Sequence, residues 1–161
     1  MAVNQERDFV AEAGALIRSA RSGSLATVNG AAPHVALVTP APAGDGSLIL
    51  LLSTLSAHTR HLQVHPACAL LIVGAPSTEN PQTAPRVTLT CQAAITASAA
   101  DRAAYLHHHP YAALYADFAD FDFWRLTLAE AHYVGGFAAA SALNILALQH
   151  EIMPANTAAG G

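Results

Sequence analysis

Between residues 53 and 65 the chain reads Ser-Thr-Leu-Ser-Ala-His-Thr-Arg-His-Leu-Gln-Val-His, which gathers four hydroxyls, three imidazoles and one guanidinium into thirteen positions. Groups of this kind donate hydrogen bonds, and what they hold best is an anion. Ser56 stands where an N-cap would, its side-chain oxygen placed to accept from the backbone N–H of His58 or Thr59. A helix start carries unpaired N–H groups and the positive end of the helix dipole, so with His58, Thr59 and Arg60 in the first turn the stretch predicts a phosphate-sized anion site. The same residues also suit the solvated face of a short surface helix. The segment alone leaves both readings open.

Nine histidines invite a metal reading. His58, His61 and His65, three and four residues apart, would share one helical face and could in geometry hold a zinc ion. No carboxylate lies in that segment, however, and Pro66 frays the helix at His65, so solvated or anion-contacting rings are the better expectation. His107, His108 and His109 point in different directions on any helix and read as an end-of-helix cluster favoured by the dipole. Asp117, Asp120 and Asp122 stand among phenylalanines and read as turn and cap residues rather than paired catalytic carboxylates. Lysine is absent, which excludes Schiff-base chemistry within the chain. No Gly-x-Ser-x-Gly elbow, phosphate-binding Gly-Lys-Ser/Thr loop or Gly-x-Gly-x-x-Gly fingerprint occurs, so hydrolase, NTPase and Rossmann dehydrogenase readings have no support.

The elements that must position the stretch follow from periodicity and turn chemistry. Apolar residues at three- and four-residue steps over 8–21, ended by Gly23, predict a helix. Runs 24–28 and 34–39 flank Asn29-Gly30, a hairpin signal because both central positions favour positive φ. Gly44-Asp45-Gly46 leads into the buried strand 47–52, which runs straight into the hydroxyl-rich helix. Strands follow over 67–73 and 86–96, the second alternating apolar and polar residues, with a Pro-rich loop at 74–85 that suggests a site rim or partner contact. Short helices over 99–108 and 111–118, a strand over 121–134, an Ala-rich helix over 137–148 and a frayed tail at 154–161 complete the expectation. The pattern implies one domain over 1–161: a mainly antiparallel sheet with flanking helices (α+β), closed into a small β-barrel to remove its edges.

The composition is 53% hydrophobic and 11% charged, with mean hydropathy +0.33, so part of the surface is expected to be covered by another subunit. Net charge is −4 without any basic run, which excludes the electrostatic footprint of a nucleic-acid binder. No run approaches the roughly 18 apolar residues of a membrane span, and residues 1–8 hold no apolar core of a secretory signal; the expectation is a cytoplasmic protein without a membrane partner. Cys68 and Cys91 lie in strand-like runs and are expected to pack as small apolar residues.

Several ordered motifs resemble one family. Residues 21–27 (RSGSLAT), 32–38 (APHVALV), 53–62 (STLSAHTRHL) with Pro66, and 85–89 (PRVTL) look like successive motifs of the pyridoxamine 5′-phosphate oxidase-like, FMN-binding split barrels. Residues 105–111 (YLHHHPY), 118–121 (FADF) and 134–139 (VGGFAA) are similar to the branch containing heme-iron-utilisation proteins. The resemblance implies a homodimer of six-stranded antiparallel split barrels with an FMN at each of two interface sites, acting as an oxidoreductase on a small-molecule substrate. It places His34, Val35, Ala36 and Leu37 beside the isoalloxazine and ribityl chain, and Ser53, Thr54, His58, Thr59 and Arg60 at the phosphate, with Arg86 at the site's edge. Relatives often carry Lys where His58 stands and Asn where His61 stands, and a neutral imidazole is a weaker phosphate partner than a permanent ammonium. The heme branch implies a second possibility, heme held in the same pocket with a late histidine on the iron: His150 first, His132 second. A flavin-binding module without turnover is the third.

Overall fold

The computed structural model describes residues 7–154. The first helix, α1 (Phe9–Ser19), starts where Asp8 accepts the N–H of Ala11 and buries Ala13 and Ile17 against the sheet. Two strands, β1 (Gly23–Asn29) and β2 (Ala32–Val38), pair antiparallel across the Asn29-Gly30 turn, with Gly30 at φ +61. A two-residue strand β3 (Ala41–Pro42) and β4 (Leu48–Ser53) form the next hairpin, and β4 leads into α2 (Ala57–Val64). Then come β5 (Ala67–Val73), β6 (Arg86–Ile95), α3 (Ala99–His108), the long β7 (Phe121–Val134), the short β8 (Ala140–Ala142) and α4 (Ile145–Ile152).

Every strand pairing is antiparallel, in the order β2-β1-β5-β6-β7-β4-β3, with β8 added to β7. The path's two end strands, β2 and β3, are separated in sequence only by Thr39 and Pro40. A chain spans at most about 3.6 Å per residue, so the sheet must curl until its ends meet. The result is a split barrel of six full strands with two short ones. Its interior is filled by Leu25, Leu48, Leu50, Leu70, Leu89 and Leu126, all fully buried. Cys68 and Cys91 pack there as free thiols, and burial pushes Cys68 up to about 11, so neither is a nucleophile at neutral pH.

Four expectations change. The first helix is not ended by Gly23: it stops at Ser19, where Ala20 turns extended, and Gly23 opens β1. The helix expected over 137–148 begins later: Gly136 (φ +112) and Ala138 (φ +57) turn the chain so that residues 140–142 pair with β7, and the Asn144 side chain, accepting from Ala147 N–H, sets the start of α4. Residues 111–118 carry one 3-10 turn, Pro110–Leu114, rather than a helix. The histidine cluster is not a dipole-favoured surface group throughout. His109 is fully buried, its Nε2–H donating to the Pro40 carbonyl at 2.9 Å, and burial holds its pKa below the ordinary value. Of the tail expected at 154–161, residues 155–161 lie outside the described residues. Among the described residues no helix is long and apolar enough to cross a membrane.

Two features fix the barrel's outer parts. Arg125 on β7 donates to Asp101 of α3, which is 2% exposed, and pairs with Asp45 of the β3–β4 turn, tying helix and hairpin to one strand. At Gly46 the backbone adopts φ +81, and a Cβ there would lie 2.7 Å from Gln149 Cα. Gly46→Ala is therefore expected to destabilise the fold by more than about 1 kcal/mol, read as a lowered denaturation midpoint with unchanged slope.

Candidate functional site

Apolar and hydroxyl residues, among them Leu37, Thr39, Leu51, Ser53, Ser56 and Phe121, with His58 beside them, border a hollow of about 230 Å³ between the end of β2, the end of β4 and the start of α2. It forms because the unbroken apolar run of β4 is buried from Leu48 to Leu52 and the chain turns polar only as it leaves the sheet. There the backbone makes a tight corner. Ser56 N–H donates to Ser53 C=O (3.1 Å), Leu55 N–H to Ser53 Oγ (3.1 Å), and Thr54 N–H to the Asp120 carbonyl (2.7 Å).

Ser56 occupies the N-cap of α2 in extended conformation, as the sequence predicts, but its hydroxyl makes no cap bond. The expected bond to His58 or Thr59 N–H is absent, and the first-turn N–H groups of α2 have no side-chain cap. Ser53 performs the local side-chain bonding instead, accepting from Leu55 N–H and donating to Asp120 Oδ2 at 2.6 Å. What the corner leaves open is a set of donors: the Ser56 hydroxyl and the helix-start amides, at the positive end of the dipole.

The structure distributes the predicted residues unevenly. Ser53, His58 and Leu37 border the hollow, and Thr54 stands in the corner beside it. Thr59 is 0% exposed, and its Oγ1 is a buried hydroxyl without a partner. Arg60 donates Nη1 to the Leu55 carbonyl (2.7 Å) and lines a different hollow, of about 390 Å³, with His61, His65 and the Asn29-Gly30 turn. Arg86, at the start of β6, donates to the carbonyls of Gln82 and Ala84, both at 3.0 Å, and does not border the 230 Å³ hollow of the single chain. Along β2 the faces alternate: His34 and Ala36 are half-buried, whereas Val35 and Leu37 are 64% and 76% exposed.

The fold also gathers three of the nine histidines. His34 and His61 meet edge to face with ring centroids 5.1 Å apart, and His61 Nδ1 lies 2.9 Å from Oγ1 of the buried Thr27. His58 feels both: burial first, then His34 and His61, hold its pKa below the ordinary imidazole value. It is therefore a neutral ring at neutral pH, able to donate one hydrogen bond and to take up a proton when an anion arrives. Neither these rings nor any other three His, Cys, Asp or Glu side chains among the described residues are placed so that they could hold a metal ion together.

Sequence reasoning missed Asp120 and Phe121 as neighbours of the hollow. Asp120 was legible as a turn residue, but its contact with Ser53 spans 67 positions and no local pattern announces it. The late histidines are both exposed. His150 sits on α4, and His132 on β7 lines a groove of about 440 Å³ with Thr88, Thr90 and Glu130.

Against known proteins, the family described as pyridoxamine 5′-phosphate oxidase matches residues 9–135. A curated relative, the chloroplastic non-canonical heme oxygenase HOZ of Arabidopsis thaliana, is 40% identical over 111 residues, covering 67% of this chain and 33% of its own length. Among solved structures, a heme binding protein from Mycobacterium smegmatis is 30% identical with TM-score 0.80, covering 89% of this chain and 61% of that one. ChuZ from Campylobacter jejuni, 16% identical with TM-score 0.75 over 87% of this chain and 62% of that one, shares the fold. The chain thus spans less than two thirds of each of these proteins.

Because His34 lowers the His58 pKa by charge repulsion, His34→Ala is expected to raise it, measured by proton NMR titration of the ring. An unchanged or lower value contradicts the arrangement.

Proposed function

Because the chain belongs to the pyridoxamine 5′-phosphate oxidase family, we propose that it binds FMN, with the phosphate at the start of α2, and acts as a flavin-dependent oxidoreductase on a small organic molecule. One observation carries this reading: an eight-residue helix begins without a side-chain cap, its N-cap hydroxyl unused, at the mouth of a hollow walled by Leu37, Leu51 and Phe121. Unpaired amides suit phosphate oxygens, and apolar walls suit a stacked, largely hydrophobic ring system. Bound FMN would supply hydride or electron transfer. The chain's own residues do the rest: Ser56 and the helix-start amides donate to the anion, His58 donates or protonates beside it, and β2 offers its apolar outward side chains as a wall.

The same edge strand supports a homodimer. Val35 and Leu37 are large, apolar and exposed on β2, the strand whose outer edge has no ladder partner among the described residues. A second copy would cover them and close the hollow, as the low charge content favours.

A second reading, heme in the same interface, is favoured by a chemical departure. His58 and His61 stand where the family resemblance implies Lys and Asn, so no permanent cation borders the 230 Å³ hollow. The names of the Arabidopsis and mycobacterial relatives point the same way. His150 and His132 are exposed and free to act as ligands across an interface.

Titration followed by absorption separates the two. FMN is expected to bind more tightly than riboflavin, and His58→Lys to strengthen FMN about tenfold, roughly 1.4 kcal/mol, by placing a permanent charge at the phosphate. Equal binding of FMN and riboflavin, together with a hemin Soret shift abolished by His150→Ala or His132→Ala, would overturn the flavin reading in favour of heme.

A further inference from the structure

The geometry assigns to Asp120 the role of setting how much negative charge the hollow accepts: its carboxylate, tied to the Ser53 hydroxyl, makes the site favour a singly charged ligand group over a doubly charged one. This inference rests on the phosphate group being seated at the start of α2.

It follows from which donors are already occupied. Asp120 Oδ2 accepts the Ser53 hydroxyl at 2.6 Å, so that hydroxyl points its proton at the carboxylate and offers an incoming anion only lone pairs. Ser53 Oγ in turn accepts Leu55 N–H, Ser56 N–H is held by Ser53 C=O, and Thr54 N–H by the Asp120 carbonyl. Arg60, the one permanent cation in the segment, directs Nη1 to the Leu55 carbonyl and lines the other hollow. Of the titratable rings, His58 borders the hollow and is held neutral by burial and by His34 and His61. The full charge connected most directly to the hollow is therefore negative, one hydrogen bond behind Ser53. A phosphate monoester is close to a dianion at neutral pH, its second pKa being about 6. A like charge one hydrogen bond behind the hollow's Ser53 wall disfavours it, while the neutral donors, Ser56 hydroxyl and helix-start amides, still satisfy a monoanion.

Asp120 has a structural duty as well, because its backbone carbonyl holds the corner through Thr54 N–H. Asp120→Asn keeps that carbonyl and a side-chain oxygen for Ser53, removing the charge and replacing the other carboxylate oxygen with an amide nitrogen; riboflavin 5′-methyl phosphate, tested on the wild-type chain, separates the loss of charge from the gain of that donor. The test is the ratio of FMN to riboflavin affinity, measured by flavin fluorescence at neutral pH in the full chain. Asp120→Asn is expected to raise the ratio at least tenfold, leaving riboflavin affinity within twofold and the melting temperature unchanged. A ratio that stays the same or falls in a folded variant overturns the assignment. A second probe needs no variant: riboflavin 5′-methyl phosphate, which retains one negative charge, is expected to bind the wild-type chain at least as tightly as FMN. Tenfold tighter binding of FMN than of that ester would also overturn it. A wild-type chain that binds FMN, the ester and riboflavin equally would instead show that no phosphate sits at α2, a failure of the proposed function itself.

Discussion

An α-helix cannot satisfy its own first N–H groups, and most helices recruit a side chain to do so. At α2 that recruitment does not occur: Ser56 is in the N-cap position with its hydroxyl unused, while Ser53 is turned toward Asp120 and Leu55. The rest of the structure holds this incomplete end in place. The buried run of β4 brings the chain to the corner, and β7, paired with β4 from Leu48↔Leu126 to Ser53↔Phe121, brings Asp120 and Phe121 to it from the other side. On the far side of α2 the buried Leu62 anchors the helix to the barrel core. Donors left open on a rigid frame are the physical basis of an anion site.

The curl of the sheet is the second requirement. Because β2 and β3 end the hydrogen-bonded path yet adjoin in sequence, the barrel stays split, and β2 keeps one edge and one apolar face uncovered. That face lies beside the uncapped helix start, since Leu37 borders the same hollow as Ser56 and His58. A corner with open hydrogen-bond donors and an apolar wall thus come together without a long-range loop, an arrangement that would suit a ligand with a charged tail and a flat apolar body.

Much of this was legible in the sequence for identifiable reasons. Strands such as β6, with strict alternation from Val87 to Ala93, and hairpins built on Asn29-Gly30 follow from local rules that tertiary structure had no cause to override. The Ala-rich segment after Gly136 was misjudged because composition favours helix there, whereas the free edge of β7 offered pairing for residues 140–142 and Asn144 delayed the cap. At the site, the helix and its hydroxyl-rich entry were visible, but the direction of each side chain was not. Thr59 and Arg60 are equally polar neighbours in sequence, yet α2 buries one and points the other to a different hollow. The buried His109 likewise needed the carbonyl of Pro40, 69 residues away, to explain it. Asp120 belongs to the same class: a residue read correctly as part of a turn, whose chemical meaning depends on Ser53.

The central claim is that the start of α2 receives the phosphate of the ligand. Backbone amide NMR during FMN titration tests it most directly, because each N–H reports its own hydrogen bond. The account predicts the largest shifts at Ala57, His58 and Thr59 with FMN, and their absence with riboflavin. Shifts confined to the groove of Thr88, Thr90, Glu130 and His132, with the amides of α2 unmoved, would contradict it.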